Sequence, residues 1–397
     1  MTTLLLALIY LIFISLGLPD SLVASSWPAI SQSLNIPVDY QGILTFTVSI
    51  CTIISSFLTM RLVKRLTSKG VVLLSIVLTV IGLFGISFSP NFWLIILSAI
   101  PLGLGAGAID TTLNNYVALN YKAIHLNWLH AFWGVGASVS PLIVGIFLTD
   151  LNGWRNGAFC LACIQAAIWL ICLISIKVWK KAEIQFAERD KEEGEETKPN
   201  NLTLFQVFKL PGVIWALVGF FCYIAIEQTT ANWFSSMVVF ELKVSEKDAA
   251  HRASLFYIGI MVGRLISGVV SLKISDKNLI RIGEGIIAVG LILLCFTFNV
   301  YIMPVGLVIV GLGCAPIYPA IIHATPTRFT KENSQGVMSL QMGFAYIANI
   351  TISPFFGIVG ENTTFLILPY VILGIVVISA LCNEMVLQRT KKLRVNN

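Results

Sequence analysis

Four charged side chains lie within long apolar stretches of this sequence, where the surroundings offer no water. They are Asp20, Asp110, Glu227 and Arg264. An ionised side chain at the middle of a bilayer costs about 3 kcal/mol on an insertion scale, so it must face a wet cavity, pair with an opposite charge or take up a proton. Three acids and one base leave at least two carboxyl groups without a buried counter-ion. Since burial favours the protonated form of a carboxyl group, these acids are candidates for proton coupling.

The aspartate in the stretch GLGAGAIDTTLNNY (Gly103–Tyr116) is followed by polar residues at helical spacing. Asp110 and Asn114 share one stripe of a helix, and Asn115 lies on the adjoining stripe. An asparagine side chain offers two donors and an acceptor, which matches the hydroxyl groups of a sugar. We expect Asn114 and Asn115 to bind substrate. Hydrogen bonds between helices, including one from Asp110, are the structural alternative.

The other two acids also have neighbours that favour a site. Pro19 precedes Asp20 and frees a backbone carbonyl, so we expect the first helix to bend beside this carboxyl group. Glu227 is followed by amides and an aromatic ring, which together fit a sugar because rings stack on C–H groups while amides bind hydroxyls. These residues are Gln228, Asn232 and Trp233, the last with a role as interfacial anchor as its alternative.

Additional polar residues in apolar stretches are candidates for substrate binding. His130 titrates near neutral pH and could relay protons, with a structural hydrogen bond as the alternative. In APIYPAIIH (Ala315–His323), prolines flank Tyr318 and would open the helix beside its hydroxyl group. Gln341 and Asn349 offer amides in a later helix.

The composition requires a membrane. Of 397 residues, 56% are hydrophobic and 12% are charged, with a mean hydropathy of +0.85. A soluble globule of this size needs far more polar surface. Twelve apolar stretches are each long enough to cross a hydrocarbon core of roughly 30 Å as a helix. We predict an all-α membrane protein with spans near 4–30, 39–60, 71–89, 93–118, 126–149, 157–176, 212–240, 252–272, 279–298, 301–323, 336–358 and 363–385.

The basic residues predict the orientation. Loops on the side of the termini contain clusters such as Arg61–Lys69 and the tail 389–394, whereas the opposite loops hold only Arg155, Lys243, Lys247 and Arg252. By the positive-inside rule both termini are cytoplasmic, in the inner (plasma) membrane of the cell. The net charge of +6 follows from this topology, so no nucleic-acid partner is expected.

One hydrophilic segment divides the spans into six and six. Its mixed charge predicts a cytoplasmic linker at 177–210 between an N-terminal bundle, 1–176, and a C-terminal bundle and tail, 211–397. Leu104 and Leu312 define an offset of 208 positions, at which seven further residues within the 28 of 82–109 are identical, among them Gly103 with Gly311. A repeat in the same direction after six helices predicts two pseudo-symmetric six-helix bundles with a cavity between them, and it pairs Tyr318 with Asp110.

This architecture resembles the major facilitator superfamily. RLVKRLTSKG (Arg61–Gly70) is similar to the basic loop between helices 2 and 3 of that family, with Lys64 where an aspartate is usual, and GWRNGAF (Gly153–Phe159) is similar to its turn into helix 6. The resemblance implies the major facilitator fold over the whole chain. It also implies a gating role for Arg264, for which pairing with Glu227 is the alternative.

A narrower resemblance is to the fucose/galactose/glucose permease group, and it rests on LPDSL, IDTTLNNY and YIAIEQTTANW. In that group, acids on helices 1 and 4 serve proton coupling and sugar binding, which implicates Asp20 and Asp110. Glu227 matches the group's glutamate after the tyrosine of helix 7. The group's asparagine on helix 5 falls on Trp133, which joins the predicted substrate residues and departs from fucose recognition.

Enzymatic chemistry is not expected. The sequence has no GxxxxGK[ST] phosphate loop, no nucleophile elbow and no cluster with metal-ligand spacing, so we predict no cofactor and no metal. The leading hypothesis is a monomeric secondary transporter in the lipid bilayer. It would import a sugar or similar small polar solute with protons, or with sodium, by alternating access.

Two other functions stay open at this point. GASVSPLIVG (Gly136–Gly145) partly resembles the glycine-proline signature of antiporters, so a proton-driven exporter of drugs, lipids or metabolites is the second hypothesis. A receptor or chaperone without transport is the third.

Overall fold

The computed structural model describes residues 2–121, 123–179, 204–296 and 302–395. These ranges contain twelve long helices, which confirms the predicted all-α membrane fold. In chain order they are α1 (Thr3–Leu34), α2 (Val38–Thr59), α3 (Arg61–Ser87), α4 (Phe92–Val117), α5 (Ile124–Phe147), α6 (Gly153–Ile174), α7 (Val213–Glu241), α8 (Glu246–Val270), α9 (Asp276–Leu294), α10 (Ile302–Phe329), α11 (Gly336–Asn362) and α12 (Phe365–Thr390). Eleven of them are apolar enough to cross a membrane on composition alone. Helix α9 differs because it carries four charged residues within its 19.

Two helices depart from a simple rod. Helical residues continue from α2 into α3 without a loop. The exception is Thr67 within α3, where a φ of 62° and a ψ of 167° turn the chain. Helix α10 is interrupted between Cys314 and Ile317 and then continues to Phe329, beyond the predicted end at 323. The interruption falls at Pro316, which cannot donate a backbone hydrogen bond.

The predicted linker 177–210 lies mostly outside the described residues, since 180–203 are not among them. A short helix, Leu204–Phe208, precedes α7. The bundle boundaries 1–176 and 211–397 therefore stay a prediction. We refer to α1–α6 as the first half and to α7–α12 as the second half.

Glycines allow α4 to approach its neighbours closely. A Cβ atom on Gly103 would lie 2.4 Å from the carbonyl oxygen of Val48 in α2, and one on Gly105 would lie 2.5 Å from that of Ser75 in α3. No side chain fits at such distances. The glycine-rich stretch is thus required by helix packing, quite apart from any chemistry of the aspartate that follows it.

The same contacts recur in the second half. A Cβ atom on Gly311 would lie 2.2 Å from the carbonyl oxygen of Phe256 in α8, and one on Gly313 would lie 2.7 Å from that of Gly283 in α9. Each glycine and each contacted residue is 208 positions beyond its counterpart in the first half. The repeat in the sequence is therefore also a repeat of helix-to-helix contacts.

The two halves meet through α1 and α7, α2 and α11, and α5 and α8. We call the side of the bundle at which α1 begins the terminal side, and the opposite side the far side. On the far side, Gln32 Nε2 donates to Glu246 Oε1 at 2.9 Å, and Gly42 of α2 packs directly on Pro354 of α11. These contacts join the two halves on the far side.

Candidate substrate and proton site

A cavity of about 340 Å³ lies between the halves. Its walls come from α1, α2, α4 and α5 of the first half and from α7, α8, α10 and α11 of the second. Ten of the predicted site residues border it. They are Asp20, Asp110, His130, Trp133, Glu227, Gln228, Asn232, Arg264, Tyr318 and Asn349. Charged groups, amides and aromatic rings from both halves thus share one enclosed space.

The carboxyl groups of Asp20 and Asp110 border the cavity from α1 and α4. Asp20 Oδ2 accepts a hydrogen bond from Trp133 Nε1 at 2.7 Å, and Asp110 Oδ1 accepts one from Asn114 Nδ2 at 2.8 Å. Within the described residues neither carboxyl group forms an ion pair. The two groups are also close enough for their charges to interact. Each is therefore held in place by a neutral donor and not by a cation.

Glu227 is more enclosed than the two aspartates, with 6% of its surface exposed. Its Oε2 accepts a hydrogen bond from the hydroxyl group of Tyr223, one helical turn earlier. Gln228 Nε2 lies 3.5 Å from its Oε1, at the limit of a hydrogen bond. This glutamate is hence a cavity group whose carboxylate is already oriented by its own helix.

Arg264 forms no ion pair with Glu227, which was one expectation from the sequence. Its Nη1 donates to the backbone oxygen of His130 at 3.2 Å, and its guanidinium lies 5.4 Å from the centre of the Trp133 ring. Both of these contacts cross from α8 to α5. The arginine therefore joins the two halves.

Aromatic rings of the two halves meet along the cavity. The Trp133 ring stands at 72° to that of Tyr257, with centres 6.2 Å apart. The His130 ring lies 5.8 Å from that of Tyr318. The first pair is edge-to-face and the second is tilted by 59°. Aromatic rings that border a cavity can stack on the C–H groups of a ligand. Tyr257 was not predicted, because a tyrosine among apolar residues of a helix carries no distinctive signal.

Amides border the cavity and also connect the halves. Gln41 Nε2 donates to the backbone oxygen of Asn232 at 2.9 Å, and Asn349 Nδ2 donates to Ser49 Oγ at 2.8 Å. Asn232 Nδ2 in turn donates to Ser353 Oγ at 2.9 Å. Gln41 was missed from the sequence, since it lies next to a predicted loop where polar residues are ordinary.

Two predicted residues of the second half lie outside the cavity lining. Trp233 is 1% exposed, donates to the backbone oxygen of Ser353 at 2.8 Å and stacks on Phe365. Successive helical residues are rotated by about 100°, so Trp233 cannot share the face of Asn232. Gln341 is also 1% exposed, and its Oε1 accepts from Thr325 Oγ1 at 3.2 Å inside the second half.

The two asparagines of α4 also lie outside the lining. Asn114 Nδ2 donates both to the carboxyl group and to the backbone oxygen of Asp110, one turn away. It therefore orients the aspartate. Asn115 is exposed on another face of the helix. Of these three residues of α4, only Asp110 borders the cavity.

The structure contains a further intramembrane acid that was not predicted from the sequence. Glu284 of α9 is 5% exposed and accepts hydrogen bonds from Ser379 Oγ and Asn383 Nδ2 of α12, both at 2.8 Å. It lies inside the predicted span 279–298 but away from the cavity lining. Its neighbour Arg281 forms an ion pair with Glu384 at 2.6 Å. Because Arg281 lies close to Glu284 in sequence, this segment resembles the polar end of a helix.

Comparison with known proteins gives consistent relatives. The glucose/mannose transporter GlcP of Bacillus subtilis (strain 168) is 23% identical over 321 residues, which are 78% of this chain and 77% of that protein. A glucose/galactose transporter of Brucella abortus biovar 1 is 24% identical over 296 residues, 70% of this chain and 68% of that protein. A solved D-xylose-proton symporter superimposes with a TM-score of 0.73 over 98% of both chains at 14% identity, which shows a shared fold.

A family model covers nearly the whole sequence. The model of the Major Facilitator Superfamily matches residues 9–250 and 228–397. The predicted resemblance and the predicted fold are thereby confirmed. The chain belongs to the major facilitator superfamily and is a multi-pass membrane transport protein, not an enzyme.

Proposed function

We propose that this protein is a proton-coupled symporter that carries a sugar, or a similar small polar solute, by alternating access. The observation that carries the proposal is the pair Asp20 and Asp110, which border the cavity between the halves with neutral hydrogen-bond donors and no ion-pair partner in the described chain. A carboxyl group in this setting can be stable in both protonation states, because neither a bound cation nor bulk water holds it ionised.

The rest of the lining favours a sugar. Amides at Gln228, Asn232 and Asn349 offer both donors and acceptors, and rings at Trp133 and Tyr318 offer stacking surfaces. The names of the relatives add support, since they include transporters of glucose, mannose and galactose and a xylose symporter. Three acids against one arginine make the same cavity unfavourable for an anionic substrate.

The roles follow from position. Asp20 and Asp110 exchange protons with the cavity, and Glu227 contributes as the third acid. His130 and the amides and rings named above bind the solute, whereas Arg264 controls the contact between α5 and α8. Trp233, Gln341, Asn114 and Asn115 drop out of the substrate set because they do not border the cavity.

Alternating access requires that the two sides of the cavity open in turn. The positive-inside rule makes the terminal side cytoplasmic, in the plasma membrane, and the far side extracellular. The far-side contacts between α2 and α11 and between α1 and α8 then form the outer gate in its closed state. Solute and proton would leave toward the cytoplasm from such a state.

The test uses purified protein in proteoliposomes with a pH dye outside. Glucose, galactose, mannose and xylose are added in turn without a pre-formed gradient. Symport predicts that at least one sugar makes the exterior alkaline, because protons enter the vesicles with the sugar. Sugar uptake that requires sodium and leaves the exterior pH unchanged would indicate sodium coupling. Acidification of the exterior would indicate an exporter.

Variants test whether the pH change depends on Asp110 in the cavity. Asp110→Asn should abolish the pH change while sugar still exchanges across the membrane. Asp150→Asn is the matched control, since Asp150 lies in the far-side loop after α5, away from the cavity lining, and its side chain accepts from the backbone N–H of Asn152. A pH change of normal size in the Asp110→Asn protein would refute the coupling role.

A further inference from the structure

Gln41 borders the cavity and has no role in the function proposed above. It is the first α-helical residue of α2, directly after the 3-10 turn Val38–Tyr40 that opens this element, and 1% of its surface is exposed. Its Nε2 donates to the backbone oxygen of Asn232 in the other half at 2.9 Å. Within the described chain its Oε1 has no donor. One end of this amide joins the halves, and the other end is a buried acceptor beside the cavity.

A buried amide oxygen without a donor is unfavourable, and more than nine in ten buried polar groups in proteins have a partner. The group that best satisfies such an oxygen from the cavity is a neutral donor. A sugar hydroxyl fits because it donates one hydrogen bond and accepts others. An anionic group would instead add repulsion to an oxygen that already carries partial negative charge.

A second amide repeats the arrangement with the halves exchanged. Asn349 of α11 donates through Nδ2 to Ser49 Oγ of α2 at 2.8 Å, and its Oδ1 also has no donor among the described residues. Both amides thus donate across the boundary between the halves. Both have a carbonyl oxygen without a donor in the described chain, and both residues border the cavity.

We propose that Gln41 determines substrate specificity by accepting a hydrogen bond from one substrate hydroxyl at Oε1. The same amide holds α2 against α7 through Nε2, so a substrate bound there favours the state in which the far side is closed. The inference rests on the proposed sugar substrate and adds a residue that recognises one of its hydroxyl groups. It also defines the ligand class as neutral polyhydroxy compounds, not sugar phosphates.

The test measures binding to purified protein in detergent by calorimetry. The probe is whichever of glucose, galactose, mannose and xylose binds wild type most tightly, together with its monodeoxy derivatives. Loss of one neutral hydrogen bond should weaken the binding of one deoxy derivative by about two- to tenfold. In Gln41→Met, which keeps the volume and loses the amide, parent and deoxy sugar should bind within twofold of each other.

Two further variants distinguish recognition of a substrate hydroxyl by Gln41 from a general structural effect of substituting a buried glutamine. Gln41→Glu keeps an oxygen acceptor and loses the N–H group, so discrimination against the deoxy sugar should persist. Gln165→Met is the matched control, because Gln165 of α6 is equally buried, also has an Oε1 without a donor and lies away from the cavity. This control should discriminate as wild type does.

The outcomes separate this inference from the function on which it rests. If wild type binds a sugar and Gln41→Met still discriminates fully between the parent sugar and the deoxy derivative, Gln41 does not recognise the missing hydroxyl. If wild type binds none of the four sugars, the sugar proposal and this inference fail together. Should Gln41→Met not fold, hydrogen exchange on wild type decides: the parent sugar should slow exchange in residues 41–49 more than the deoxy sugar, and equal slowing would overturn the inference.

Discussion

A single methyl group at Gly42 should shift the balance between the two open states of the transporter. Gly42 lies in α2 against Pro354 of α11, at the far-side contact between the halves. A Cβ atom on Gly42 would lie 3.0 Å from Pro354 Cβ and 3.1 Å from its Cα. The proline ring and backbone have no rotamer that could relieve this contact. The Gly42→Ala protein therefore cannot close the far side without moving one helix.

The magnitude follows from packing energies. Overpacking of this kind costs about 1–3 kcal/mol, and a displacement of a few tenths of an ångström puts alanine near the lower limit. About 1 kcal/mol lowers the ratio of far-closed to far-open protein about fivefold, and the bulkier Gly42→Val should approach a hundredfold. The gain of about 1 kcal/mol in helix propensity for alanine over glycine acts equally in both states, so it cancels from this ratio.

Hydrogen exchange measured by mass spectrometry in lipid nanodiscs reports the shift. Peptides covering 38–48 and 349–358 should exchange faster in Gly42→Ala, in proportion to the larger far-open population. The matched control is Gly374→Ala in α12, where an added Cβ meets nothing within 4 Å. Unchanged exchange at both far-side segments in Gly42→Ala and Gly42→Val would refute the assignment of this contact as the gate.

Three further predictions concern single positions. Gly311→Ala should lower the melting temperature far more than an alanine at an uncrowded glycine, because its Cβ would lie 2.2 Å from the carbonyl oxygen of Phe256; equal melting temperatures would contradict the packing argument. Glu284→Ala should destabilise the protein by about 1–3 kcal/mol for each donor left unpaired, measured by thermal shift, and Glu284→Gln should recover part of the loss. Trp133→Phe keeps a ring but removes the N–H donor to Asp20, so proton-driven accumulation should fall more than sugar exchange; an equal fall in both would exclude a role in coupling.

Much of the fold was predictable because the membrane imposes a simple rule on sequence. A helix needs about 20 apolar residues to cross, so hydropathy alone locates eleven of the twelve long helices in the described chain. The glycine repeat was also readable, since Gly103 and Gly311 have to be small for α4 and α10 to touch their neighbours. The extension of α10 to Phe329 was not, because the polar residues and Pro326 after His323 look like a helix end, yet Pro326 lies inside the helix.

The carboxyl groups of the site were predictable for an energetic reason. Charge is so costly in lipid that Asp20 and Asp110 had to lie near water or a partner, and they border the cavity. The orientation of neutral residues carries no such penalty. Asn232 and Trp233 are adjacent in sequence, yet only the first reaches the cavity, and the sequence gives no measure of helix rotation.

Residues that act across the boundary between the halves were the hardest to find. Gln41 becomes a cavity group only because α7 approaches from the second half and supplies the backbone oxygen of Asn232. Tyr257 likewise matters only beside Trp133. Contacts between residues about 190 and 120 positions apart leave no local pattern in one sequence, so long-range packing decides them.

The central claim is that the aspartates of the cavity couple sugar movement to protons. The most direct measurement is sugar uptake into proteoliposomes under an imposed pH gradient, acid outside, with exchange of the same sugar measured in the same preparations. The account predicts accumulation above equilibrium in wild type and, in Asp110→Asn, exchange without accumulation. Accumulation by Asp110→Asn at the level of wild type would contradict it.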